Sequence, residues 1–264
     1  MLQKAVGETP LFCIEAYRAL HPELAGVPLA YAGRLDPLAS GSLLVLIGDE
    51  CKQQEKYHGL DKEYVIEVVL GIGSDTGDVM GRLTPTMPAT PTSEDFRAIA
   101  AQLSGTLLSL PYPAFSSKTV HGKPLHTWAV EGRLHEVEIP TQTVLLYEMK
   151  FLEMRTMNAG ELAVRAIAKM NTIPPVTELR KAIGNDFRRG DIRADWQAFA
   201  QDYCHAQYTI ATFRVRAGSG MYMRTLANEI AKHFGTAGLC FAIHRSKIGI
   251  LHTIFGVTFF RQKK

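Results

Sequence analysis

No apolar run in these 264 residues approaches the roughly 20 needed to cross a bilayer. The first residues also lack the basic stretch, apolar run and small-residue cleavage site of a secretory leader, so a chain neither secreted nor membrane-spanning is expected. Cysteine is scarce. Cys13, Cys51, Cys204 and Cys240 stand far apart, without the spacing of a zinc site or a redox pair, and read as reduced thiols of a cytoplasmic protein. Net charge is only +3, too small by itself to imply a polyanionic partner. The glycine-rich stretch Gly71–Gly81 lacks the lysine of a phosphate-binding loop and the ligand order of a calcium loop, which leaves Asp75 and Asp78 as two carboxylates a metal could use. With no internal repeat or low-complexity tract, one domain is expected.

What charge there is lies unevenly. Residues 1–132 carry 10 Lys and Arg against 15 Asp and Glu, whereas residues 133–264 carry 19 against 11. From Ala206 to Lys264 there are nine basic residues and one acidic residue, Glu229. Such a concentration is the footprint expected of phosphate-backbone binding, or else a solvated charged face.

The stretch Gly33-Arg34-Leu35-Asp36-Pro37-Leu38-Ala39-Ser40-Gly41 sets one aspartate in a turn between two glycines. Pro37 fixes its own φ and biases Asp36 away from the helical region, and the glycines permit sharp bends on either side. The plain alternative is that Asp36 caps a short helical turn. Arg34 places a cation beside the carboxylate, where a polyanion could be held. The apolar run Ser42–Gly48 then anchors the loop to the core as a buried strand.

Further along, Thr9-Pro10 starts a helix with an apolar stripe at Leu11, Ile14, Tyr17 and Leu20. Asp49–His58 reads as a short polar helix. Tyr64–Leu70 is strongly β-forming, with Lys62 and Tyr64 at its entrance on one face. Thr92 and Asp95 resemble a capping box ahead of a helix through Leu103. Pro111–Lys123 is a long polar and aromatic loop of the kind that carries function. Gln142–Arg155 and Glu161–Ala168 read as an antiparallel pair turning at Asn158-Ala159-Gly160. Residues 170–205 read as an inserted excursion rather than core, and Gln207–Ala217 resumes as strand. A helix with Met223, Leu226, Ala227, Ile230, Ala231 and Phe234 on one face follows, Gly235 stopping it and Arg224 in its first turn. A cation there opposes the helix dipole, so a carboxylate or a substrate phosphate is expected to offset it, unless the side chain reaches solvent.

The Asp36 loop, Lys62 and Tyr64, Ser74-Asp75-Thr76-Gly77-Asp78, the Ser219–Leu226 segment and His244-Arg245-Ser246-Lys247-Ile248-Gly249 occur in an order and spacing that resemble TruB-type tRNA pseudouridine synthases. The resemblance covers nearly the whole chain. It departs at Lys4-Ala5-Val6-Gly7-Glu8-Thr9-Pro10, at Ser116-Ser117-Lys118-Thr119, at Met221 in place of a threonine, and at Tyr31 in place of a histidine. It implies an α+β pseudouridine synthase fold, a mixed and largely antiparallel sheet flanked by helices, with Asp36 at the floor of a basic cleft. It also implies an isomerase acting on RNA, with the T-arm uridine at position 55 of tRNA as substrate, in which Asp36, Tyr64 and Arg224 are catalytic. Tyr64 would stack on the flipped uracil, Arg224 would pair with Asp36, and Ile243 would line the pocket. Tyr31, Arg34, Lys62 and Lys118 are expected to contact substrate, as are Tyr222, Arg245 and Lys247. No metal or cofactor is required, because the base is detached, rotated and reattached through carbon. A monomer is expected, with no C-terminal RNA-binding domain beyond Lys264. Two other classes stay open: an inert RNA-binding protein of the same fold, and a metal-dependent nuclease using Asp36, Asp75 and Asp78.

Overall fold

The computed structural model describes residues 1–176, 186–254 and 257–262. Part of the 170–205 stretch, and Lys263 and Lys264, lie outside the described residues. Strand β1 (Leu2–Lys4) leads into α1 (Pro10–Ala19), which Thr9 caps by accepting from the Phe12 amide, with Pro10 in the first turn. The expected stripe is out of phase: Cys13 and Ile14 are buried against Leu43, while Leu11 (58% exposed) and Leu20 face outward. The helix meets its neighbours along one narrow line, which hydrophobicity alone does not locate.

Strands β2 (Leu29–Ala32) and β3 (Ala39–Ile47) flank the Asp36 loop. The expected polar helix is instead a 3-10 turn at Gly48–Gln53 followed by the single turn α2 (Glu55–His58). Strand β4 (Asp61–Leu70) starts ahead of Lys62, so Lys62 and Tyr64 lie within it. A hairpin of β5 (Ile72–Ser74) and β6 (Leu83–Pro85) carries the Asp75–Gly81 loop. Helix α3 (Ser93–Leu103) begins with the expected reciprocal cap between Thr92 and Asp95, and β7 (Thr106–Pro111) follows. The long loop contains the small hairpin β8 (Thr119–Val120) and β9 (Lys123–Pro124), then α4 (Leu125–Val130).

Strand β10 (Thr141–Asn158) does not turn into a partner at Asn158. Residues 159–171 form α5 (Ala159–Asn171), because Asn158 and Glu161 make a second capping box and Leu162, Ala163, Ala166 and Met170 fall on one helical face. Helix α6 (Arg189–Asp202) packs on α5 and buries Ile192, Trp196 and Phe199, so this part of the 170–205 stretch belongs to the core rather than standing outside it. The Trp196 indole N–H donates to Val79 O at 3.1 Å, which ties α6 to the loop before β6. Strand β11 (Gln207–Ala217), α7 (Met223–Lys232), β12 (Gly238–Ile254) and β13 (Val257–Gln262) complete the described chain.

The sheet runs β1-β3-β12-β4-β11-β10-β7, with β13 beside β12 and β2 beside β3. All its pairings are antiparallel except β3 with β12, where Ile243, His244 and Arg245 lie across from Ala39, Ser40 and Gly41. One face carries Tyr64, Ile66, Val68, Phe213 and Val215, packed against Phe96 and Ile99 of α3 and Leu226 and Ile230 of α7. The other carries Val69, Tyr208, Ile210 and Phe241 under α5 and α6. This is the expected mixed, largely antiparallel sheet flanked by helices. Among the described residues no helix is long and apolar enough to cross a membrane.

Candidate active site

A cleft of about 2100 Å³ opens beside the first of these cores, and Asp36, Tyr64 and Arg224 all border it. The Asp36 loop is shaped by backbone contacts. Gly33 (φ +78°) and Gly41 (φ +106°) are left-handed, and a Cβ on Gly41 would collide with the Arg245 backbone of β12. The Ala39 amide closes a turn on Asp36 O at 2.9 Å, while Pro37 O accepts from the Gly7 amide (2.9 Å) and Lys4 Nζ (3.2 Å). The Asp36 carboxylate is thus free of a capping role. Its side chain is 43% exposed and lies 3.0 Å from Arg224 Nε.

Arg224 enters from the first turn of α7 and is 6% exposed. It donates through Nη1 to Thr76 O (2.9 Å) and through Nη2 to Phe115 O (3.3 Å). Nε makes no well-directed hydrogen bond despite its distance from Asp36, so that contact is an ion pair whose alignment is incomplete. A second carboxylate, Asp78, sits 3.8 Å from the same nitrogen. Asp78 accepts from Thr76 Oγ1 (2.7 Å) and the Met80 amide (2.9 Å). Burial pushes the Asp78 carboxyl above its usual range, with Arg224 and the Thr76 hydrogen bond working against that shift. Burial opposes the Arg224 charge as well, but Asp36 and then Asp78 more than offset it. The first-turn arginine therefore has the carboxylate its position required.

The other expected contacts divide. Tyr31, Lys62, Tyr222, Ile243 and Arg34 border the cleft with the three central residues. Arg34 is exposed, with Nη1 on Ser117 Oγ, and Tyr222 meets Tyr112 edge-on at 5.8 Å between ring centres. Lys62 is buried beneath Gly33 and donates to Leu60 O and to Ser219 Oγ at 3.1 Å, so its ammonium is already engaged. Lys118 lies outside the cleft lining, its ammonium 5.0 Å from the Tyr112 ring.

Two further expected substrate contacts are engaged with the protein itself. Arg245 is only 1% exposed, and its guanidinium is spent on Ser42 O (2.8 Å), Gly33 O (3.1 Å) and Arg34 O (3.2 Å). Lys247 lies outside the cleft lining and pairs at 3.1 Å with Glu63, which alternates with Lys62 and Tyr64 and so points to the opposite face of β4.

Several basic residues of the C-terminal region are paired with acids. Arg216 pairs with Glu63 (2.6 Å) and Glu148 (2.7 Å), Arg214 with Glu148 (3.2 Å), and Lys232 with Glu229 (3.2 Å). Between the two halves of the chain, Glu63 pairs with Arg216 and Lys247, Asp75 with Arg188, and Asp36 and Asp78 with Arg224. The cleft lining is accordingly close to neutral, with Arg34, Lys62, Arg188, Arg224 and Arg245 set against Glu8, Asp36, Asp78 and Asp191. The carboxylates that a metal could have used are also engaged. Arg188 grips Asp75 through two contacts, at 2.7 and 3.3 Å, and Asp78 is held as described, and no cluster of three or more His, Cys, Asp or Glu suited to a metal occurs among the described residues.

Sequence reasoning did not bring Lys4 to Asp36, and it grouped Asp78 with Asp36 only as a possible metal ligand rather than as a second partner of Arg224. Lys4 is buried, with its ammonium on Ala5 O, Glu8 O and Pro37 O. Its place in the Lys4–Pro10 stretch was the available signal. Burial lowers both Lys4 and Lys62 to about 8, Arg245 adding to the effect on Lys62. Between that value and the lysine reference of 10.5 the unfolded chain holds protons that the folded chain has released, so these residues make stability rise with pH there. Denaturant midpoints at about pH 7.5 and about pH 9.5 check this, and Lys62→Met is expected to flatten the rise.

Comparison with known proteins gives this geometry a setting. The protein of Caldicellulosiruptor saccharolyticus named tRNA pseudouridine synthase B is 25% identical over 250 residues, covering 95% of this chain and 67% of its own length. That of Francisella tularensis subsp. novicida, with the same name, is 25% identical over 221 residues, covering 83% of this chain and 55% of its own. The chain therefore spans between about half and two thirds of the curated relatives it matches. In a crystal structure of a Cbf5-Nop10-Gar1 complex, one chain superposes with a TM-score of 0.52 at 15% identity, covering 94% of this chain and 47% of that one, a likeness of fold. The model of the TruB family pseudouridylate synthase N-terminal domain matches residues 25–171, which include the Asp36 loop, Tyr64 and Asp78, and the chain belongs to that family.

Proposed function

We propose that this chain isomerises a uridine of a structured RNA to pseudouridine, with Asp36 as the nucleophile. The observation that carries the reading is a single half-exposed carboxylate, held 3.0 Å from a buried arginine in the cleft that Tyr64 borders. The fixed guanidinium holds the carboxylate in place, and its 43% exposure leaves it open to a substrate. The target base has to leave its stack before its glycosidic bond can be reached, and Tyr64, which borders the cleft, is the aromatic ring proposed to receive it. Net, the N1–C1′ bond breaks, a C5–C1′ bond forms, and one proton leaves C5 as one is gained at N1. Electrons balance without a redox partner, so the reading needs no redox cofactor.

The relatives above are named for tRNA, and within tRNA the T-arm uridine at position 55 is the proposed target. Tyr31, Tyr222 and Ile243 would shape the base pocket, and Arg34 could exchange Ser117 for a phosphate. We place the activity in the cytoplasm and in a monomer. Incubating purified protein with an unmodified tRNA transcript in chelator, then mapping pseudouridine, tests the reading. One modified uridine is expected. RNA that binds but is never modified would point to an inert RNA-binding protein, and RNA shortened only on adding a divalent ion would point to a nuclease. If tRNA from cells lacking the gene kept that modification while another RNA lost one, the target would be wrong and the chemistry right.

A further inference from the structure

We infer that Arg245 is a positioning residue for Asp36, acting from inside the neck of its loop without touching RNA. The loop leaves β2 after Ala32 and enters β3 at Ala39. Arg245, arriving on β12, donates to Gly33 O and Arg34 O on the outgoing side and to Ser42 O on the returning side. One guanidinium therefore clamps both stems of the loop that bears the carboxylate.

Three features set this apart from ordinary packing. All three hydrogen-bond acceptors are backbone carbonyls, with no carboxylate among them. A buried cation satisfied only by neutral dipoles is costly compared with an apolar side chain of similar volume, so filling space does not explain it. A second buried cation, Lys62, lies beside it. A Cβ built on Gly33 would fall 3.6 Å from Arg245 Nη1 and 3.7 Å from Lys62 Cε. Lys62 in turn donates to Ser219 Oγ in the loop leading to Arg224, and shares its strand with Tyr64. The two cations thus meet under Gly33, where the elements bearing Asp36, Tyr64 and Arg224 converge. The planar fork of arginine suits this place, because its N–H groups diverge at fixed angles toward two stems, and an ammonium cannot reproduce that spread.

The inference rests on the proposed isomerisation for its catalytic consequence, so its test has a readout that does not depend on activity. Hydrogen exchange of peptides covering residues 33–42 is compared in wild type, Arg245→Lys and Arg245→Met. Exchange in that segment is expected to quicken about tenfold in Arg245→Lys, with β10 and β11 unchanged. Loop exchange equal to wild type in a folded Arg245→Lys protein would overturn the inference. On unmodified tRNA transcript, the single-turnover rate of Arg245→Lys is expected to fall about 100-fold, the scale set by displacing a reacting group by about 1 Å, with RNA affinity within twofold of wild type. A loss of affinity matching the loss of rate would make Arg245 an RNA contact, and a rate within twofold of wild type would remove the positioning role. Should Arg245→Met fail to fold, Arg245→Lys keeps the charge and decides the matter. Loosened loop exchange together with a wild-type protein inactive on every RNA would leave the clamp standing and defeat the isomerase reading instead.

Discussion

Asp36→Asn is expected to abolish pseudouridine formation, lowering the single-turnover rate by at least about 10⁴-fold, while fold and RNA affinity stay close to wild type. The loop does not depend on the carboxylate for its shape. It is held through main-chain atoms, with Lys4 and the Gly7 amide on Pro37 O and Arg245 on the two stems. Asparagine matches the volume of the side chain and removes only its charge and nucleophilicity. Removing that charge leaves Arg224 with Asp78, Thr76 O and Phe115 O, so the guanidinium is not stranded. Since the Asp36 side chain is 43% exposed, the lost ion pair should alter stability by about 1 kcal/mol or less. Thermal melts, RNA binding and single-turnover assays on one preparation check all three claims. A rate within tenfold of wild type would make Asp36 a structural residue.

Arg224→Met is expected to be damaging for a different reason. The arginine is buried against two carboxylates, only one of which reaches solvent. Asp36 can turn to water when the guanidinium is gone, but Asp78 cannot. Breaking a buried pair in this way costs about 3–5 kcal/mol, because an uncompensated charge is left behind. The cost should depend on pH. Burial already raises the Asp78 carboxyl, and loss of Arg224 raises it further. An acid whose folded pKa exceeds its unfolded value favours the fold while protonated, and that contribution is lost as pH rises through the folded pKa. Arg224→Met should therefore melt closer to wild type at about pH 5 than at about pH 8. Adding Asp78→Asn should recover most of the lost stability without restoring activity. If the single variant melted like wild type at both pH values, Arg224 would not be compensating Asp78.

Where function or a cap left a local mark, the sequence was readable. The Gly33–Gly41 turn, the Thr92 cap and the α7 face followed by Gly235 each follow from residues a few positions apart, and the described structure agrees with them. Glu161–Ala168 was misread because a β-hairpin and a capped helix both accept Asn158-Ala159-Gly160, and the Asn158 to Glu161 box, the deciding feature, went unweighed. The protein partners of Arg245 and Lys247 were not legible for a deeper reason. Their partners are carbonyls of the Asp36 loop and a glutamate on β4, and a β-bulge between them sets them apart from simple strand alternation. Charge counting carries two readings. An acidic N-terminal half and a basic C-terminal half are what a nucleic-acid surface would leave in a sequence, but also what a protein leaves when its two halves pair internally, as Glu63 does with Arg216 and Lys247, and Asp36 with Arg224.

The parallel seam between β3 and β12 has a consequence for the order in which the molecule can be made. Ile243, His244 and Arg245 lie across from Ala39, Ser40 and Gly41, strands separated by most of the chain. A ribosome has already released the Asp36 loop long before it makes the residues that fix its neck. Contacts this remote in sequence are slow to form, and chains in which they are pending are the ones that misassociate. The loop around Asp36 therefore stays without this strand and its arginine until β12 has been made. A translation product that ends short of Gly238 could still hold α3 against β10, yet would lack the strand that holds the loop around Asp36.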